Sequence, residues 1–194
     1  MTAILKVDTI QDTSGNNIIN ESSDTITIGA SGDTTNIIGT LNKDGVAVAN
    51  TPFFYGELAS NQTLTRNSFV KITGLTNDEL DSASAFDGTT FTVPSGQGGK
   101  YYLEGVVTGD YGDPGDGENT VALIYKNGSE IKSAKWQTHG GNQDENEITV
   151  VVSGLFNLSA SDTIELYGYL SDASGDNAEV QADRTSLMGY KIIG

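Results

Sequence analysis

Hydrophobic positions in the first fifty residues occur as short β-branched pairs separated by polar turns. The apolar steps are Ile10, Ile18–Ile19, Ile26 with Ile28, Ile37–Ile38, and Val46 with Val48. Between them lie "DTSGNN", "ESSD", "ASGDTT" and "NKDG", all rich in turn-forming residues. A short strand cannot bury its apolar side alone, so steps repeating roughly every nine residues predict stacked or intertwined strands. Residues 1–50 are therefore predicted to form a turn-rich β shaft, with a flexible polar arm as the alternative.

After "NTPFF" the pattern changes to long alternating segments that are typical of strands. The predicted strands are Lys100–Gly109, Asn119–Gly128, Asn146–Leu158, Thr163–Leu170 and Thr185–Ile193. "KNGSE" is an Asn-Gly hairpin signal, and "LTNDELDSASAF" hints at a helical turn through a capping box of Thr76 and Glu79. Tight turns between many strands predict an antiparallel all-β sandwich, jelly roll or barrel over residues 51–194.

Composition excludes several classes of function. The chain has no cysteine, which removes thiolate chemistry and disulfides, and a single histidine, His139. A formal net charge of −16 argues against nucleic acid and anionic membrane surfaces as partners. No run of about 18 apolar residues is present, so no membrane insertion is expected, and the start of the chain does not resemble a secretory signal.

Catalytic patterns are weak. His139 lies in "THGGN" without a Gly-x-Ser-x-Gly elbow, and with 26 acidic residues, paired carboxylates arise by chance. We expect no enzyme and no required cofactor. Trp136 and His139 are the candidate receptor contacts, since tryptophan beside polar groups stacks on sugars; a half-buried packing tryptophan is the alternative. The aromatic and leucine positions on predicted strands are expected to pack in the core or between subunits: Tyr101, Leu103, Tyr125, Phe156, Tyr167 and Tyr169.

Four landmarks in order over residues 52–194 resemble the complement-q/tumour-necrosis-factor-like head. They are "FDGTTFTVPSGQGGKYYLEGVV", "ALIYKNGSEI", "VVSGLFNLSASDTIELYGYL" and "SLMGYKIIG". Three features depart from the family pattern: extra glycine-rich residues between Pro94 and Tyr101, "SASD" where Gly-Asp is usual, and Lys191 in place of an apolar residue. The resemblance implies a ten-strand antiparallel jelly roll that assembles as a homotrimer.

The opening "ILKVDTIQDTSGNNII" is similar to amino-terminal segments of fibre-type proteins in tailed phages of marine bacteria. Together the two resemblances imply a virion appendage, a tail fibre or a head fibre or decoration, assembled in the bacterial cytoplasm. Residues 1–50 would then dock on other virion proteins, and the head would contact a host-surface glycan or protein. Two alternatives stay open: a purely structural virion docking protein, and a cellular carbohydrate- or protein-binding module.

The closing strand is the predicted trimer contact. Alternation is expected to place Met188, Tyr190 and Ile192 in the sandwich core. The opposite set would then face the threefold axis of the resembled fold: Leu187, Gly189, Lys191 and Ile193. A charge at Leu187 is accordingly expected to prevent assembly.

Three acidic loops are expected to gather at one end of the sandwich, because successive strands reverse direction. They are Gly109–Glu118, His139–Glu147 and Ser171–Asp183. The first carries a tentative calcium set: Asp110, Asp113, Asp116 and Glu118. The spacing does not fit an EF-hand, but calcium accepts oxygen ligands from several loops in flexible geometry. A solvated acidic tip without a bound ion is the alternative.

Overall fold

The described part of the first fifty residues contains short antiparallel strands. The computed structural model describes residues 9–11, 13–14, 17–22, 25–28, 32, 34–35, 41–43, 46–47, 51–112, 117–137, 146–172 and 178–192. The chain divides into two compact units, Met1–Val48 and Ala49–Gly194, where the sequence analysis placed a boundary after residue 50. The first unit contains β1 (Thr9–Gln11), β2 (Asn17–Ser22), β3 (Thr25–Ile28), β4 (Asn42–Lys43) and β5 (Val46–Ala47). β1, β2 and β3 form one sheet, and β4 pairs with β5.

The second unit is built from longer strands. They are β6 (Phe53–Glu57), β7 (Gln62–Thr63), β8 (Val70–Lys71), β9 (Asn77–Asp81), β10 (Thr90–Thr92), β11 (Gly99–Asp110), β12 (Gly117–Lys126), β13 (Ser129–Gln137), β14 (Glu147–Leu158), β15 (Thr163–Asp172), β16 (Glu179–Val180) and β17 (Ser186–Lys191). The five strands predicted from alternation are all present, with ends shifted by at most two residues. β13 is an additional strand that follows the Asn-Gly turn.

These strands form two antiparallel sheets. In sheet I, β14, β11, β17, β6 and β9 lie side by side, and β16 and β7 extend beside the end of β11. In sheet II the order is β10, β15, β12, β13, with β8 also paired to β15. From β10 onward the chain passes repeatedly between the sheets, and the first and last strands, β6 and β17, are neighbours. This is the antiparallel jelly roll that the sequence predicts.

A core of aliphatic and aromatic side chains fills the space between the two sheets. The rings of Phe54 and Phe91 stack with centroids 4.1 Å apart, and Tyr101 is fully buried beside Phe91. The Tyr101 hydroxyl donates to the carbonyl oxygen of Gln97 at 2.6 Å, and burial raises the pKa of Tyr101 to about 12. Tyr101 and Leu103 are thus core residues, as expected from their strand positions.

The predicted facing of the closing strand is wrong. In β17, Leu187 is fully buried and Gly189 is buried, whereas Met188 and Tyr190 are only half-buried. A β-carbon added to Gly189 would lie 2.6 Å from Leu103 Cδ2 and 2.7 Å from Phe54 Cε1. Leu187 and Gly189 therefore face the core and cannot form an outer contact. Of the other two predicted interface residues, Lys191 donates to Gln97 Oε1 at 3.1 Å, and Ile193 lies outside the described residues.

The predicted helical turn near Thr76 and Glu79 is also wrong. Residues Asn77–Asp81 form β9, which pairs with β6 in sheet I. The chain then reverses around the Asp81 carboxylate, which accepts hydrogen bonds from the backbone N–H groups of Ala83 and Phe86 at 3.0 and 2.7 Å. A short polar side chain that satisfies nearby amides favours a turn over a helix at this point.

The Asn-Gly hairpin is confirmed between β12 and β13. Asn127 and Gly128 have positive φ angles of 51° and 76°, as a two-residue hairpin turn requires. The Asp162 carboxylate stabilises this turn by accepting hydrogen bonds from the side chains of Asn127 and Lys126, each at 2.7 Å. It also accepts a hydrogen bond from the backbone N–H of Ser159 at 2.8 Å. Asp162 belongs to "SASD", where the sequence departs from the family pattern, and here it joins two loops.

The close approach at Gly189 makes a testable prediction. Gly189→Ala is expected to lower the free energy of unfolding by about 1–3 kcal/mol, because the added methyl group must displace packed side chains of Leu103 and Phe54. Urea unfolding of the purified chain measures the change. Ser186→Ala, on the outer face of the same strand, is the matched control and should change stability little. Equal stability of Gly189→Ala and the unmutated chain would contradict the inward facing of this residue.

The network of Asp162 makes a prediction about pH. The pKa of Asp162 is lowered from 3.8 to about 2, first by the hydrogen bond from Lys126 and then by the Ser159 amide and Asn127. A lowered folded-state pKa adds stability that is complete above about pH 4 and is lost as the pH falls toward 2. Asp162→Asn is therefore expected to be less stable than the unmutated chain at pH 6 and nearly equal to it at pH 2. Urea unfolding at both values tests this, and a difference that is the same at both would contradict it.

Candidate binding faces and the acidic end

The outer face of sheet I carries a row of exposed apolar side chains. Leu155, Tyr102, Tyr190 and Phe53 lie opposite one another across β14, β11, β17 and β6. Leu155 is 69% exposed and Phe53 is 41% exposed, while the Tyr102 and Tyr190 rings lie half-buried with centroids 5.4 Å apart. Successive rows of side chains face opposite sides of a sheet, and the neighbouring row, which contains Leu103 and Gly189, faces the core. The row of exposed apolar side chains therefore faces away from the core.

Further apolar residues extend the row into a patch. Val151 is 51% exposed and Leu80 is 57% exposed, at opposite sides of the sheet. The patch also holds a carboxylate: Glu104 accepts a hydrogen bond from the Tyr102 hydroxyl at 2.6 Å, and this bond is the main reason why the pKa of Tyr102 is raised. We call this patch the sheet I face; its members are Phe53, Leu80, Tyr102, Val151, Leu155 and Tyr190.

The outer face of sheet II is aromatic in a different way. Tyr125 and Tyr167 stack with ring centroids 3.9 Å apart, and Phe69 packs beside Tyr169 at 5.1 Å. We call this group of four rings the tyrosine face. The sequence analysis assigned these tyrosines to the core or to subunit packing. The Tyr-x-Tyr spacing of residues 167 and 169 indicates that these two side chains lie on one face of the sheet, since side chains two apart on a strand share a face.

The strand ends that border the three predicted acidic loops lie at one end of the sandwich. Asp110, the last residue of β11, pairs with Glu147 and with Glu179. In sheet II, Gly117 at the start of β12 pairs with Asp172 at the end of β15. The predicted gathering of these loops at one end is thus seen in their flanking residues, and the loop tips at 113–116, 138–145 and 173–177 lie outside the described residues.

Two of the four predicted calcium ligands can be placed. The Asp110 carboxylate accepts hydrogen bonds from the side chain of Gln181 and from the Gly112 N–H, and Glu118 accepts from the Ser171 hydroxyl at 3.2 Å. Asp113 and Asp116 belong to the undescribed loop tip. Within the described ranges, no three histidine or carboxylate side chains are grouped to hold a metal ion. Calcium binding at this end stays a prediction.

Of the two candidate receptor residues, Trp136 faces the core and is not part of the tyrosine face. Trp136 is the last residue but one of β13, and its half-buried side chain packs against the core. The packing alternative therefore describes its environment. His139 lies outside the described residues.

The solved structures that are similar to this chain include a tumour necrosis factor and a complement globular domain. Eiger TNF from S. frugiperda has a TM-score of 0.49 and 7% identity, over 73% of this chain and 93% of that chain. The globular domain of zebrafish complement 1qA protein has a TM-score of 0.46 and 15% identity, over 73% of this chain and 98% of that chain. The fold assignment itself rests on the strand order and register of this chain.

A scan of protein-family models finds no match, and a search of curated proteins finds none either. In the portion of the chain that the structure describes, no helix is long and apolar enough to cross a bilayer.

Proposed function

We propose that this chain is a structural appendage protein of a bacteriophage virion, a tail fibre or a head fibre or decoration protein. It acts as a homotrimer whose jelly-roll unit contacts the host surface, and it is assembled in the host cytoplasm. The observation that carries the proposal is the sheet I face, an exposed apolar row across four strands of a chain that is otherwise strongly acidic.

The sheet I face has the chemistry of a permanent contact between copies. Contiguous exposed apolar patches are rare on monomers and mark interaction sites. Obligate interfaces are more apolar than other surfaces and are enriched in aromatic residues. Bare aliphatic groups at Leu155 and Val151 beside the Tyr102–Tyr190 pair fit this composition. The chain's own copies are the natural occupant, which agrees with the trimer that the sequence resemblance implies.

The first unit suits attachment to other virion proteins. Its described strands are three to six residues long in one sheet and two residues long in the other. Such strands bury little apolar surface by themselves, so they gain stability from neighbouring copies or from a docking protein. The resemblance of "ILKVDTIQDTSGNNII" to phage fibre segments supports the same role.

Assembly through the sheet I face is tested by a charge on its central row. Tyr190→Asp is expected to leave the jelly roll folded but to convert the trimer to a monomer, because the carboxylate would be desolvated in an apolar contact. Multi-angle light scattering at micromolar concentration gives the mass, and circular dichroism reports the fold.

Leu187→Asp is the matched control, three residues away on the same strand but facing the core. It is expected to unfold the subunit itself, since Leu187 is fully buried. An unmutated chain that is monomeric at micromolar concentration would overturn the trimer, and a trimeric Tyr190→Asp variant would move the contact to another face.

Removal of residues 1–50 tests the anchoring role of the first unit. The truncated chain is expected to keep the far-ultraviolet spectrum and melting curve of the head, because the two units are separately compact. In phage particles that carry it, the truncated chain should no longer be incorporated, as judged by immunoblot of purified virions. Incorporation equal to that of the full chain would contradict the anchoring role.

A further inference from the structure

The tyrosine face has ring positions that are fixed by the sheet beneath them. Tyr167 and Tyr169 alternate outward on β15, opposite Leu123 and Val121 of β12. Both of those aliphatic residues are buried although they lie on the outer side of the sheet, away from the core cluster. The two tyrosine rings thus lie beside buried apolar side chains, and each tyrosine is only half-buried. Side chains held in this way lose little freedom when a ligand binds.

Polar groups surround the rings on both sides. The Lys71 ammonium donates to Glu165 at 2.7 Å and to the Thr90 hydroxyl at 2.9 Å, which leaves one of its three donors available. At the other end, the Tyr169 hydroxyl donates to Asn67 Oδ1 at 3.1 Å. The charges of the Lys71–Glu165 pair balance, and Glu130 adds one carboxylate opposite Tyr125. This rim therefore disfavours an anion and offers hydrogen-bonding groups to an uncharged polar ligand.

The composition of the tyrosine face differs from that of a protein contact. Its one strongly exposed apolar side chain among the described residues is Phe69, at 57%, while the remaining rings present hydroxyl groups. The sheet I face exposes more such side chains, and the centres of stable protein interfaces are rich in them. Nucleic acid is disfavoured by the net charge of −16.

We propose that the tyrosine face binds a neutral oligosaccharide. A pyranose ring has an apolar C–H surface and a rim of hydroxyl groups, which match flat rings flanked by hydrogen-bonding side chains. Phe69 and Tyr169 would stack on the sugar, and Lys71 and Asn67 would contact its hydroxyl groups. The assignment of this saccharide to a host-cell envelope rests on the proposed function. The proposal that the tyrosine face binds a saccharide does not depend on it.

The experiment uses the purified full-length chain and a fixed panel of uncharged hexasaccharides: maltohexaose, cellohexaose, mannohexaose and N-acetylchitohexaose. Saturation-transfer NMR detects binding, and calorimetric titration measures it. At least one hexasaccharide is expected to bind saturably. Phe69→Ala should weaken that binding about tenfold through loss of stacking, and Phe69→Tyr should preserve it. Ser95→Ala is the control, since Ser95 is exposed in the turn after β10 and belongs to neither the tyrosine face nor the sheet I face.

Three outcomes would overturn the proposal. They are no binding by any member of the panel, binding that Phe69→Ala and Tyr169→Ala leave unchanged, and a change of oligomeric state in Phe69→Ala. The last result would make the tyrosine face a contact between copies. Because sugar binding is measured on the purified chain, its failure would leave the trimer and the virion role standing. Conversely, a result that contradicts the virion role would leave a measured sugar affinity intact.

Discussion

The close packing of the Leu103 and Phe54 side chains over Gly189 is the constraint from which the surface of the jelly roll follows. Gly189 lies opposite Leu103 on one side and Phe54 on the other, and all three face inward. Since facing alternates along a strand, the neighbouring row must face outward. That row contains Tyr102, Tyr190 and Phe53. A contact that admits no side chain at one position thus places the aromatic row of sheet I on the surface.

Alternation and turn chemistry are local signals, and they predicted the antiparallel all-β class, the long strands and the Asn-Gly hairpin. The jelly roll in particular was what the family resemblance implied. The sequence did not predict the facing of β17, because apolar residues occupy both faces of that strand. Met188 and Tyr190 are more hydrophobic than Gly189, yet the core at this point is filled by side chains from other strands. The error near Asp81 has the same origin, since pairing of β9 with β6 overrides a weak local helix signal.

The two outer faces of the jelly roll have different chemistry, and this separates their roles. Sheet I exposes aliphatic carbon at Leu155, Val151 and Leu80, which water solvates poorly and which another apolar surface covers well. Sheet II exposes rings whose edges carry hydroxyl groups and whose rim carries a balanced ion pair. The first face gains most from permanent burial, while the second can stay in water and bind a polar ligand reversibly. One sandwich can therefore assemble through one sheet and recognise through the other.

A layer of satisfied polar groups separates the core from the acidic loops. The Thr108 hydroxyl donates to the Arg184 carbonyl at 2.9 Å, and its backbone N–H donates to the Thr185 hydroxyl. Nearby, the hydroxyl groups of Tyr111 and Thr120 lie 2.7 Å apart. These buried hydroxyl groups therefore have hydrogen-bond partners where the apolar core meets the polar end of the sandwich.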